Sequence, residues 1–180
     1  REPQSIGLGA RTLHDVFKLH KIHESSGELA PLEGDDLKDF ASMLGDLDLL
    51  IIDEVSMVSK VMLAQVHTRL REWRLFRGEQ ELAKEPFGGI SVVLAGDFGQ
   101  LPPIAISPSL SLLHQKTMSN HVREHKEANL GARLLNHFDC VVRLRRVHRQ
   151  PGASTYKESL LRLRDAATTK TDHAEWLTHD

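Results

Sequence analysis

The stretch "LDLLIIDEVSM", residues 47–57, sets a short apolar run directly against two adjacent carboxylates. Leu49, Leu50, Ile51 and Ile52 are too few to span a membrane, and a continuous run of this length reads as a strand buried on both faces of a parallel sheet. Asp53 and Glu54 then fall at its carboxyl end. In open α/β sheets ligands collect along that edge, so acids there are better placed for chemistry than for packing. Taken alone, the pair is equally compatible with a solvated turn or a cap on the next helix.

Working outward, Val58, Met62, Val66, Leu70 and Trp73 recur at three- and four-residue steps, which predicts a core-facing amphipathic helix capped by Ser56 or Ser59. A polar linker containing Pro86, Gly88 and Gly89 leads to "ISVVLAG", residues 90–96, a second buried strand that again ends on an acid, Asp97. Strand, helix, strand with apolar strands predicts a right-handed parallel crossover, and hence a layered α/β domain. Residues 105–130 are rich in Ser, His and Lys with weak periodicity, and read as a surface insertion or small irregular subdomain. A third strand is expected in "CVVRLRR", residues 140–146, leading through "VHRQPG" to a helix opened by a capping box from Thr155 to Glu158 and carried by Tyr156, Leu160 and Leu163.

The 180 residues give room for one α/β domain, or one domain plus the beginning of another. The chain begins with Arg, carries no apolar signal segment and has no run of about 18 apolar residues, so it reads as a soluble piece of a longer polypeptide. A single cysteine, Cys140, excludes an internal disulfide and a cysteine-rich zinc site, and fits a reducing compartment. Among the eleven histidines the closest pairs, His20 with His23 and His121 with His125, lack a metalloprotease glutamate and a nearby third ligand, which argues against a metal site there. The net charge of −2 hides a polarity: residues 24–54 hold ten acids and one Lys, whereas residues 141–164 hold seven Lys or Arg and one acid. Such a basic stretch can meet phosphates or form a solvated helix face.

The second strand opens into "GDFGQLPP", residues 96–103. Gly96 and Gly99 permit turns closed to other residues, Pro102 and Pro103 stiffen the exit, and Gln100 presents an amide that donates and accepts at once. A rigid polar loop of this kind beside Asp53 and Glu54 suits sensing a phosphate or its attacking water.

"IIDEVSM" at 51–57 followed by "FGGISVVLAGDFGQLPP" at 87–103 resembles motifs II and III of the petite-integration-frequency (PIF) DNA helicases, superfamily-one enzymes that include the helicase modules of Helitron transposons. "RTLHDVFKL" at 11–19 is similar to that family's motif Ia, and "VVRLRRVHRQ" at 141–150 to its motif IV. The resemblance implies a RecA-like phosphate-loop NTPase fold, a parallel sheet with flanking helices, with residues 1–139 in the first motor domain and 140–180 opening the second. It also implies roles. Asp53 corresponds to the aspartate that holds Mg2+, and Glu54 to the glutamate that activates the attacking water. Gln100 corresponds to the residue linking the terminal phosphate of ATP to the DNA site. Thr12 and His14 sit where the family contacts single-stranded DNA. Arg149 sits where an arginine reaches the terminal phosphate from the second motor domain and neutralises charge on the transferring phosphoryl group. The implied activity is ATP-dependent unwinding of single-stranded or forked DNA from five-prime to three-prime, in the nucleus or mitochondrion if the source is eukaryotic.

One departure stands against that implication. A loop of the form G-x-x-x-x-G-K-[ST] should precede "RTLHDVF", yet no Gly-Lys pair occurs in the chain. The expectation is therefore a helicase fragment, inactive alone, with a catalytically dead remnant that at most binds single-stranded DNA as the alternative. A small GTPase or kinase would leave "GDFGQLPP" and "RTLHDVF" unexplained.

Overall fold

Strand β1 (Leu49–Ile52) and strand β2 (Ser91–Leu94) pair in parallel, with Leu49 opposite Ser91 and Ile52 opposite Leu94. The architecture comes from a computed structural model, which describes residues 10–22, 28–104, 107–114, 123–144, 155–164 and 166–176. The chain divides into two compact units, Arg1–Asp139 and Cys140–Asp180. In the first, α1 (Leu13–Val16) and α2 (Gly34–Leu44) precede β1, α3 (Lys60–Phe76) connects the strands, and α4 (Arg123–Leu135) follows β2. The second contains α5 (Thr155–Arg164) and α6 (Lys170–Trp176).

The strands are buried on one face, not two. Side chains alternate across a strand, and Leu50, Ile52, Val92 and Leu94 share the face packed into the core, whereas Leu49, Ile51 and Val93 are 47%, 62% and 46% exposed. The described helices of this unit therefore cover only the first of these faces.

The connecting helix follows the expected pattern. Ser59, not Ser56, caps α3, its Oγ accepting from the Met62 amide at 3.0 Å. Val66, Leu70 and Trp73 are buried along the helix, with Val58 buried just before it and Met62 packed against the cluster. The acidic region before β1 holds a helix of its own, α2, in which Leu37, Phe40, Ala41 and Leu44 face the core.

Residues 105–130 are not a surface insertion in the parts described. A 3-10 turn at Pro108–Leu110 buries Leu110, Leu112 is also buried, and Ser111 bridges antiparallel to Ser59. Helix α4 then packs on α3 so closely that a Cβ on Gly131 would lie 1.9 Å from the Lys60 carbonyl oxygen. Leu134 is buried and Leu130 and Leu135 pack beside it, so the helix is part of the core, with its large apolar residues gathered in its second half. Burial depresses the pKa of Lys60, whose Nζ donates to the Ser109 carbonyl at 3.0 Å.

The loop entering β2 is held by α3. Phe87 (φ 53°) and Gly88 (φ 64°) take left-handed conformations, and the Phe87 amide donates to His67 Nδ1 at 2.9 Å while Arg74 Nε donates to the Gly88 carbonyl at 2.8 Å. His67 and Phe87 also meet edge to face, with ring centroids 5.8 Å apart. Burial, then the charges of Arg71 and His137, push the His67 pKa down to about 4.

No strand forms over residues 140–144. Val141, Val142 and Leu144 are 90%, 80% and 89% exposed, because a strand needs a hydrogen-bonded neighbour and the described elements of the second unit are helices. Arg145 and Arg146 lie outside the described residues. Helix α5 is present, but Leu163 is 51% exposed, and a polar contact ties α5 to α6. Arg162 Nε donates to Asp172 Oδ2 at 3.0 Å, while Thr169 and Asp172 exchange reciprocal backbone bonds, a capping box at the start of α6. The Arg162 contact, then the Thr169 amide, hold the Asp172 carboxyl well below the usual carboxylate range.

Candidate nucleotide and DNA site

The parallel ladder continues past the ends of β1 and β2 and joins their exit loops. The Ala95 amide donates to the Ile52 carbonyl at 2.8 Å, and the Ala95 carbonyl accepts from the Val55 amide at 2.9 Å. Asp53 and Glu54 occupy the turn between these two bonds, both exposed. Glu54 is left-handed (φ 54°, ψ 46°), a conformation costing a non-glycine residue about 1 kcal/mol or more. Two bonds hold it there: Asp53 Oδ1 accepts from the Glu54 amide at 2.8 Å, and the Glu54 carbonyl accepts from the Met57 amide at 3.0 Å. A 3-10 turn, Val55–Met57, then buries Val55 and Ser56, which anchors the reversal.

The second exit loop lies against the first. Gly96 has φ 141°, and a Cβ there would fall 2.7 Å from the Val55 nitrogen and 3.3 Å from the Glu54 Cα. Only a glycine lets the two loops meet. Gly99, by contrast, is not in the left-handed region; the turn is made by Asp97, whose Oδ1 accepts from the Gly99 amide at 2.9 Å and whose carbonyl accepts from the Gln100 amide at 3.0 Å. Gln100 is thereby presented on an exposed turn.

Asp53 and Glu54 are thus brought against the base of the loop carrying Gln100. Thr12 and His14 are both exposed on α1, which Thr12 caps by accepting from the Asp15 amide at 3.3 Å. Arg149 lies outside the described residues, as do His23 and His121. The donor set suits Mg2+: Asp53 offers an exposed carboxylate oxygen, and Mg2+ is commonly held by one or two carboxylates completed by phosphates and water.

A parallel sheet with an acidic pair at one strand's carboxyl end and a polar glycine loop at its neighbour's is RecA-like in layout. Solved structures agree on the fold: "Bacteroides Pif1 bound to ssDNA" matches with a TM-score of 0.59 at 24% identity over 91% of this chain and 35% of that one. Pif1 helicase from Bacteroides in complex with ADP-AlF3 and ssDNA matches with a TM-score of 0.60 at 23% identity over 91% of this chain and 34% of that one. The family model for PIF1-like helicases matches residues 4–173, and the chain belongs to that family. Among curated relatives, the ATP-dependent DNA helicase Pif1 of Bdellovibrio bacteriovorus is 35% identical over 103 residues, 56% of this chain and 21% of that protein. The ATP-dependent DNA helicase RRM3 of Saccharomyces cerevisiae is 35% identical over 100 residues, 56% of this chain and 11% of that protein. The chain thus spans about a fifth or less of these relatives' length. No helix among the described residues is long and apolar enough to cross a membrane.

Proposed function

We propose that this chain forms the central part of the motor of an ATP-dependent DNA helicase working from five-prime to three-prime on single-stranded or forked DNA. In this reading Arg1–Asp139 belongs to the first motor domain and Cys140–Asp180 opens the second. Asp53 would hold Mg2+, which when bound would supply positive charge against the nucleotide phosphates. Glu54 orients and deprotonates the attacking water, Gln100 relays phosphate occupancy towards DNA, and Thr12 and His14 contact the strand. Arg149 supplies positive charge to the terminal phosphate. The observation that carries the reading is the contact at Gly96, which packs the Glu54 turn against the loop of Gln100.

The absence of any Gly-Lys pair in the chain favours a second reading for these 180 residues alone, single-stranded DNA binding without turnover. Steady-state ATPase with and without single-stranded DNA separates the two. The 180-residue chain is expected to show none, and a chain supplied with an upstream G-x-x-x-x-G-K-[ST] segment is expected to show DNA-stimulated turnover that vanishes in Glu54→Gln. DNA-stimulated turnover by the unextended chain that is itself abolished by Glu54→Gln would overturn the second reading.

A further inference from the structure

Arg69 lies within α3 and is 0% exposed. A guanidinium taken out of water must set its N–H groups on acceptors, and those chosen here are specific. Nε donates to the Phe17 carbonyl at 3.0 Å, Nη2 to the Lys18 carbonyl at 3.3 Å, and Nη1 to Glu72 Oε2 at 2.7 Å. Phe17 and Lys18 are the residues that close α1. The Leu19 amide bonds to the His14 carbonyl at 3.0 Å and the Lys18 amide to the Asp15 carbonyl at 3.3 Å, with Lys18 left-handed at φ 47°. This is the helix-ending pattern in which glycine usually takes the left-handed position. The carbonyls of Phe17 and Lys18 both accept from Arg69, that of Lys18 shared with the Lys21 amide at 3.1 Å.

An ion pair with Glu72 alone would serve only the helix, and a buried ion pair is often no better than apolar packing. The two main-chain bonds do something different: they fasten the turn bearing Thr12 and His14 to the helix that follows Glu54 in the chain. Phe17 and Leu19, buried in the core, anchor the same turn from below, with Phe17 edge-on to Phe40 at 6.1 Å between centroids.

We infer that Arg69 is a positioning residue for single-stranded DNA: its fork fixes the Thr12–His14 turn in its gripping geometry and links that turn to α3, so that occupancy by DNA is felt at Arg69. The inference rests on the DNA-binding reading above. Arg69 itself touches no DNA, since it has no exposed surface.

The test uses the 180-residue chain and a fluorescein-labelled homothymidine oligonucleotide. In Arg69→Lys a single ammonium replaces the planar fork and cannot span both carbonyls. Anisotropy is expected to show binding weakened about five- to tenfold, the scale of one ordinary hydrogen bond, with an unchanged slope of log affinity against log salt because no phosphate contact is removed. Amides 13–19 should exchange faster with deuterium in the variant while those of 60–66 keep parent rates. Parent affinity in a folded Arg69→Lys protein, or a shallower salt slope, would overturn the inference. If the parent chain binds no oligonucleotide at all, the DNA-binding reading itself fails, which separates the two failures. Should Arg69→Lys not fold, the parent protein still decides: the Arg69 Nε–H resonance must shift on oligonucleotide titration, and an unmoved resonance at saturation refutes the link.

Discussion

The Phe87 amide donates to Nδ1 of His67 at 2.9 Å, a buried bond that requires the imidazole to be neutral. The folded ring takes a proton only near pH 4, whereas an unfolded one takes it near 6.5, so between those values the unfolded chain binds more protons. Stability is therefore complete above about pH 6.5 and is lost as pH falls towards 4, by roughly 3 kcal/mol in total. Urea unfolding of the parent and of His67→Gln across this range checks it. The glutamine keeps an acceptor and does not titrate, so its stability should vary less between pH 6.5 and 4; an identical slope in both proteins would exclude His67 as the source.

Gly131 offers a test of core packing. Because its Cβ would collide with the Lys60 backbone, Gly131→Ala should force α4 away from α3 and destabilise the first unit by about 1–3 kcal/mol, despite the better helix propensity of alanine. Chemical denaturation reads this directly, and a gain in stability would contradict the helix crossing.

Gly96→Ala tests the contact between the two exit loops. The added methyl must displace backbone at Val55 and Glu54, so in a chain carrying a phosphate loop turnover should fall at least tenfold while the far face of α3 is undisturbed. Amide exchange should report a change at residues 53–57 and none at 70–76. Parent activity in this variant would remove the contact from the mechanism.

Within the acidic pair the roles should separate, again in a chain with the phosphate loop. Glu54→Gln is expected to bind Mg2+ and ATP normally and to lose turnover by about 100-fold or more, the usual contribution of a general base. Asp53→Ala should weaken Mg2+-dependent nucleotide binding itself. Equal loss of binding in both would reverse the assignment.

Gln100 and Arg149 should differ in kind when the second motor domain is also present. Arg149→Ala is expected to slow single-turnover hydrolysis by roughly a thousandfold with nucleotide affinity little changed, and lysine should not rescue it. Gln100→Ala should keep basal hydrolysis and lose most DNA stimulation and fork unwinding. Normal hydrolysis by the first or parent unwinding by the second would displace these residues from the site.

Much of this was legible in the residues. The apolar runs at 49–52 and 90–94, and the three- and four-residue spacing from Val58 to Trp73, predict strand, helix and strand. Other features were hidden by the physics of neighbours. Burial on one face of β1 and β2 depends on what covers the sheet, which an apolar run does not record. Helix α4 escaped because its large core residues, Leu130, Leu134 and Leu135, fall in its second half, and its close approach to α3 is made at Gly131. Helix α2 had a readable signal, Leu37, Phe40, Ala41 and Leu44 at helical spacing, overshadowed by the surrounding acids. The left-handed turn at Glu54 is held by its neighbours Asp53 and Met57 without a glycine to mark it, and the carbonyls gathered by Arg69 arise from tertiary contacts.

Trp73 lies beneath the guanidinium groups of Arg74 and Arg77, at 4.3 and 5.2 Å from its ring, 1% exposed and with no acceptor for its indole N–H among the described residues. An indole held dry in this way emits at short wavelength, and flanking cations follow it only while the last turn of α3 stays wound. The helix joining the two strands therefore carries its own optical gauge. With Trp176, the chain's other tryptophan, replaced by Phe, a red shift in the light from Trp73 reports water arriving at the last turn of α3.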